Sequence, residues 1–172
     1  NSCSATSTTT SVQVNPIPPV SISAAPYTKL YPGISTILTA NTSGSVTYTW
    51  YKNGIAITGA NNASLPVTID DLGTYSVKVT NSGGCSNISS LLSISDSATA
   101  QLFIYPNPHN GIFQVSYYNG TPTKNTIAIY DAKGSRIWVK TFDITNAYQR
   151  MNIDIRNRSK GTYNIVLFGL NN

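Results

Sequence analysis

Short stretches in which Val, Ile, Thr and Tyr alternate with small polar residues recur about every ten positions along this chain, each broken by Gly, Asn or Pro. Alternation with a period of two puts successive side chains on opposite faces of an extended strand, one face for a core and one for water. No segment carries a helical period of useful length. A chain punctuated this way buries its apolar faces by stacking sheets, so an all-β fold of packed antiparallel sheets is expected.

Composition points the same way. The 172 residues include 11 Lys or Arg, 6 Asp and no Glu, so charged residues are 10% of the chain, against roughly 25% in an average soluble domain. Ser, Thr and Asn together number 60 and supply the polar surface instead. Solvent-facing helices are usually built from Glu and Lys, which argues against a helical enzyme. With 40% hydrophobic residues and 11 Tyr, the chain is not a disordered tail either. No apolar run approaches the roughly 18 residues that span a bilayer. There is no start Met or signal peptide, so the chain reads as an internal piece or a mature fragment.

Catalytic chemistry has few groups to use. The one His, His109, sits in a Pro/Asn-rich turn, and Cys3 and Cys85 lie far apart. No His/Cys cluster has metal-ligand spacing, no Ser is flanked by a nucleophile-elbow pattern, and no Gly-rich phosphate loop occurs. The reading is therefore of a non-enzyme with no catalytic residue, no metal site and no cofactor. The basic residues are scattered singly along strand-like segments, which also argues against nucleic-acid binding.

Seven short strands are expected in the first half: 20–25, 34–40, 46–52, 55–58, 63–69, 74–80 and 88–95. Asn53-Gly54 marks a tight hairpin, because both residues tolerate positive φ. Trp50 in the third strand, followed by Asp71-Leu-Gly73-Thr-Tyr75-Ser-Val77, resembles the core Trp and tyrosine corner of an immunoglobulin domain. Val77 and Ile37 or Leu38 stand where that family has its paired cysteines, so Trp50 should pack on aliphatic side chains. The segment 1–14 echoes 81–95 at an offset of 82 residues. It reads as the last strand of a preceding similar repeat, followed by a polyproline-like linker at 15–19 and a spacer domain at 20–95. Related bacterial surface domains pair a Cys before the second strand with one before the last. Here that first position reads Tyr31-Pro32-Gly33, which implies that Cys85 has no partner and that any partner of Cys3 lies outside the chain, while counting alone leaves a Cys3–Cys85 bridge open.

After a small-residue linker at 96–101 comes Leu102-Phe-Ile-Tyr105-Pro106-Asn107-Pro108-His-Asn-Gly111-Ile-Phe113-Gln-Val115. Two prolines exclude a central-sheet ladder at this point, and Phe113 and Val115 share one strand face. Next come Tyr130-Asp131-Ala-Lys133-Gly134, suited to a type I turn with a left-handed Gly, and then Gly161-Thr-Tyr163-Asn-Ile165. In this order and spacing the three motifs resemble the type A C-terminal sorting domain of the type IX secretion system of Bacteroidetes. The motifs cover 102–168, and the resemblance implies a sorting domain at 102–172 that is a second immunoglobulin-like sandwich, so that the expected architecture is two tandem antiparallel β-sandwiches. The family continues into a final basic strand that this sequence does not contain, which implies an unpaired sheet edge.

The resemblance implies an address label. Its expected partners are the type IX translocon and outer-membrane shuttle proteins, with anionic lipopolysaccharide as a possible attachment, and its destination is the cell surface or the medium, reached through the periplasm. The sorting-motif residues are Tyr105, Pro106, Asn107, Pro108, Gly111, Phe113, Val115, Tyr130, Asp131, Lys133, Gly134, Gly161 and Tyr163. In any sandwich the aromatic ones could equally be core or corner residues, and the Pro and Gly residues turn formers. Asp96-Ser97-Ala98 resembles a short Bacteroidetes O-glycosylation signal on Ser97. Charge separates the two halves: residues 1–98 carry three Lys and three Asp, whereas 99–172 carry eight Lys or Arg and three Asp, so the net +5 lies in the second half. A different function remains open, an adhesive or carbohydrate-binding array that uses Tyr48, Trp50, Tyr51, Tyr117 and Tyr118.

Overall fold

The computed structural model describes residues 3, 4, 6, 9, 11 and 14–169. Among the described residues, strands make up 51% and no α-helix occurs. By backbone proximity the chain divides into two compact units, one of Asn1–Ala25, Ile37–Pro66 and Gly73–Ser93, the other of Pro26–Thr36, Val67–Leu72 and Ile94–Asn172.

The first nine strands are β1 (Val20–Ala25), β2 (Lys29–Leu30), β3 (Ser35–Thr42), β4 (Val46–Lys52), β5 (Ile55–Ala56), β6 (Ser64–Thr68), β7 (Gly73–Asn81), β8 (Ser86–Ile88) and β9 (Leu92–Asp96). One sheet has the order β1-β3-β6; the other runs β2-β9-β7-β4-β5, with β8 also on β7. Pro66 lies in β6, an edge strand, where its missing donor costs no ladder bond. In the β4–β5 hairpin Asn53 and Gly54 both take positive φ, 51° and 80°, as the turn requires.

Alternation is converted directly into burial. Leu38 in β3 is fully buried while its neighbour Ile37 is 51% exposed, so Leu38 is the core residue of that pair. Trp50 is fully buried opposite Val77, with its indole N–H donated to the Asn62 carbonyl at 2.8 Å. Val77, which stands in place of the family's core cysteine, is likewise fully buried.

Three strands differ from expectation. The stretch 88–95 is not continuous. The buried hydroxyl of Ser89 accepts the Val77 N–H at 3.1 Å, a donor that a straight ladder would have used, and the chain breaks into β8 and β9 around it. The stretch 63–69 ends in a 3₁₀ turn, Ile69–Asp71, capped by Thr68 Oγ1. The pair β2–β9 was not anticipated and is parallel, with Lys29 opposite Ser95.

The proline segment 15–19 is fastened to its own unit. Asn81, Asn87 and Thr42 side chains donate to the carbonyls of Pro16, Pro18 and Pro19, and Pro18 is buried. Cys3 and Cys85 are both free thiols. The strand expected within 1–14 falls partly on residues outside the described ones (1, 2, 5, 7, 8, 10, 12 and 13), and the described ones are in no strand.

The remaining strands are β10 (Phe103–Tyr105), β11 (Ile112–Ser116), β12 (Thr123–Tyr130), β13 (Arg136–Ile144), β14 (Met151–Asp154) and β15 (Asn164–Gly169). They form two three-stranded sheets, β10-β11-β14 and β13-β12-β15. Phe113 and Val115 from the first sheet meet Ile127, Ile129 and Ile144 from the second, with Met151, Ile153 and Ile155 completing the buried cluster. β10, the strand that runs into the prolines, is an edge strand, in keeping with their missing donors. β15 is also an edge strand among the described residues.

Candidate functional site

The first motif begins at the exposed end of β10. Tyr105 is 77% exposed, and Pro106, Asn107 and Pro108 are exposed too, both prolines following cis peptide bonds. The chain then folds back on itself: the His109 ring stacks on Phe113 at 4.2 Å, and its Nδ1 accepts the Gly111 N–H at 2.9 Å. An accepting Nδ1 leaves Nε2 as the donor of the neutral ring. Gly111 has φ 100°, and its carbonyl takes the Ile155 N–H at 2.8 Å. A Cβ at this position would stand 2.9 Å from the Arg156 Cα, so the close approach of the two chain segments demands Gly.

The second motif is a tight turn built on one carboxylate. Asp131 Oδ1 accepts the N–H groups of Lys133 and Ser135, each at 2.9 Å, and the Gly134 N–H closes on the Asp131 carbonyl at 3.0 Å with φ 83° at Gly134. This is the expected turn with its left-handed Gly. Half-buried Tyr130 precedes it, opposite Arg136 on one side and Asn164 on the other.

In the third motif Gly161 is exposed and a Cβ there would meet nothing within 4 Å. Tyr163 is half-buried and donates its hydroxyl proton to the Ser159 carbonyl.

These placements sort the motif residues physically. Phe113 and Val115 are core; Gly111, Asp131 and Gly134 are required by local backbone geometry. Tyr105, Asn107 and Lys133 are exposed, and Gly161 answers no steric demand. The motifs also converge. A cleft of about 410 Å³ is lined by Asn107, Pro108 and Phe113 of the first motif and by Gly161, Tyr163 and Asn164 of the third. Asn164 is in turn the β15 partner of Tyr130, where the second motif begins.

A neighbouring cleft of about 470 Å³ was not foreseen. It is lined by Arg156, Arg158, Lys160 and Ser159 together with His109, Asn110 and Gly111. The alternation Arg-x-Arg-x-Lys just before Gly161 was its signal in the sequence. Arg156 grips Asp154 through Nη2 (2.7 Å) and Nε (3.1 Å), and Arg158 Nη2 donates to the Ile137 carbonyl at 2.7 Å. The guanidinium and the Arg156 backbone N–H hold the Asp154 carboxyl at about 2, below its ordinary 3.8.

Ser97 is half-buried, with its hydroxyl 2.6 Å from that of Thr99. The aromatic residues considered for sugar binding form no exposed row: Trp50 is core, and Tyr48, Tyr51, Tyr117 and Tyr118 are half-buried, Tyr118 against Tyr148. Among the described residues no group of three or more His, Cys or Asp could hold a metal, and no helix is long and apolar enough to cross a membrane.

Residues 103–171 match the family model described as the secretion system C-terminal sorting domain. No curated protein matches the chain. Among solved structures, a human OSCAR ligand-binding domain shares 14% identity over 88% of this chain and 90% of its own, with a TM-score of 0.39. A carbohydrate-binding module of the β-sandwich superfamily shares 12% over 90% of this chain and 85% of its own (TM-score 0.38). Dimeric latent PorU from Porphyromonas gingivalis shares 12% over 89% of this chain and 19% of its own (TM-score 0.33).

Proposed function

We propose, from the match of residues 103–171 to the secretion-system C-terminal sorting domains, that this unit is the address label of a secreted or cell-surface protein read by type IX secretion machinery. In this reading the translocon and its outer-membrane shuttle proteins recognise the folded sandwich in the periplasm. Residues 20–95 hold the label away from upstream cargo as a spacer, 1–14 end a preceding repeat, and 96–101 is the segment where a peptidase would release the label and anionic lipopolysaccharide would be joined to the cargo. The excess of basic residues in the second half orients the encounter with an acidic receptor face, since complementary charge speeds and steers association.

The observation that carries the reading is the convergence of three separated motifs at one end of the second sandwich, where several motif residues are exposed and the fold does not need them. A buried motif residue is explained by packing; an exposed one such as Tyr105 is not. The test is surface delivery of the parent protein. Deleting 102–172 abolishes delivery. Tyr105→Ala and Gly161→Ala leave the isolated chain as stable as wild type but cut delivery. Normal delivery of the deletion variant refutes the reading.

A further inference from the structure

We propose that the end of the sandwich where the motifs meet holds a binding site for an anionic saccharide, a sugar ring bearing a phosphate or carboxylate. The inference stands on the shape and chemistry of the two clefts alone and does not depend on the sorting reading. The clefts are adjacent, with His109, Gly161 and Tyr163 lining both. Their linings differ. The first offers apolar and aromatic surface from Pro108 and Tyr163, with the amides of Asn107 and Asn164 and the Thr162 hydroxyl around it. Flat apolar faces ringed by amides and hydroxyls suit a sugar, whose ring C–H groups want contact and whose hydroxyls want both donors and acceptors.

The second cleft is cationic. Arg156, Arg158 and Lys160 give three positive charges, and Asp154 on Arg156 leaves a net of two (3 minus 1). The two guanidinium groups are already held in place, by Asp154 and by the Ile137 carbonyl. Arg156 spends Nε–H and one Nη2 proton on Asp154 and Arg158 one Nη2 proton on Ile137, so most of their five donors each remain for a ligand. Arginine residues lining a cleft with donors to spare suit the oxygens of phosphate or carboxylate. Lys160 has no partner among the described residues and adds a mobile charge; the Nε2–H of His109 is one more donor at the junction. Gly161 keeps that junction open, since nothing lies within 4 Å of where its Cβ would be. A ring in the first cleft and its anionic substituent in the second would use both linings together.

The test uses the 15N-labelled 172-residue chain at neutral pH and low salt, titrated with glucose 6-phosphate, glucuronate, glucose, inorganic phosphate and a hexa-aspartate peptide. Glucose 6-phosphate or glucuronate should give saturable shifts at the amides of His109, Gly161 and Tyr163, about tenfold tighter than glucose or inorganic phosphate, the factor that joining two weak subsites readily supplies. Lys160→Ala, at an exposed position the fold does not use, should weaken the anionic sugar about fivefold, the upper range for one exposed charge. Thr162→Ala should weaken the sugars and leave inorganic phosphate unchanged. The proposal is overturned if neither anionic sugar gives saturable shifts at these amides, if inorganic phosphate binds as tightly, or if Lys160→Ala changes nothing. Tighter binding of hexa-aspartate than of either sugar also overturns it and makes the cleft a protein-binding site.

Discussion

Gly111 and Gly134 both have left-handed φ, 100° and 83°, but only Gly111 is crowded. Replacing each by Ala therefore separates backbone strain from steric exclusion. The strain is similar in the two, about 1–2 kcal/mol for an L-residue in this region. At Gly134 the new methyl group meets nothing within 4 Å, so the cost ends there. At Gly111 it would lie 2.9 Å from both Cα and Cγ of Arg156. The Cα cannot withdraw cheaply, since Ile155 N–H is bonded to the Gly111 carbonyl at 2.8 Å and the next turn closes with Arg158 N–H on the Ile155 carbonyl at 2.9 Å. Forcing that shift adds about 1–3 kcal/mol. Gly111→Ala should thus cost about 2–5 kcal/mol in all. The chain has two tryptophans, Trp50 in the first unit and Trp138 in the second, so urea unfolding followed by the Trp138 indole resonance reads the relevant unit. With a urea dependence of about 1 kcal/mol/M, the Gly111→Ala midpoint should fall about 1–3 M below that of Gly134→Ala. Equal midpoints would show that the Gly111–Arg156 approach imposes no steric requirement and would refute the reasoning.

Other expectations are independent of this one. Phe113→Ala removes a fully buried ring and the face on which His109 stacks, and should destabilise the second unit by about 3–5 kcal/mol in the same urea experiment. Thr36→Val removes a buried hydroxyl that has no hydrogen-bond partner among the described residues, so stability should stay level or rise by up to about 1 kcal/mol; a clear loss would reveal a bond to that oxygen. The side-chain and backbone hydrogen bonds from Arg156 lower the Asp154 carboxyl to about 2 in the folded state, whereas the unfolded chain has the ordinary value near 4. A depressed folded value contributes stability above the unfolded value, and that contribution is lost as pH falls from about 4 towards 2. A carboxyl-carbon NMR titration should place the Asp154 midpoint near 2, and Arg156→Gln should return most of the shift; a wild-type midpoint near 3.8 would contradict the assigned geometry.

What the sequence determined by itself is the part that rests on short-range chemistry. Alternation settles that each strand has one inward face, and Trp50, Val77, Phe113 and Val115 are buried accordingly, whereas the choice between Ile37 and Leu38 fell to the structure, which buries Leu38. Turn chemistry is equally local. Asn53-Gly54 and Asp131–Gly134 form the expected turns from backbone preferences and one side-chain carboxylate. Only the tertiary structure decided the features that depend on segments distant in the sequence. Ser89 breaks a strand because it meets the Val77 N–H twelve residues away, and the proline segment is fastened because three side chains from elsewhere in its unit find its carbonyls. The candidate site is of the same kind. Tyr105–Phe113, Tyr130–Gly134 and Gly161–Tyr163 can each be read in sequence as core, corner or turn residues. Their meeting at one end, and the gathering of Arg156, Arg158 and Lys160 beside His109, follow from strand order and register. Those are set by which faces bury most completely against one another, a property of the assembled core that no single stretch of sequence contains.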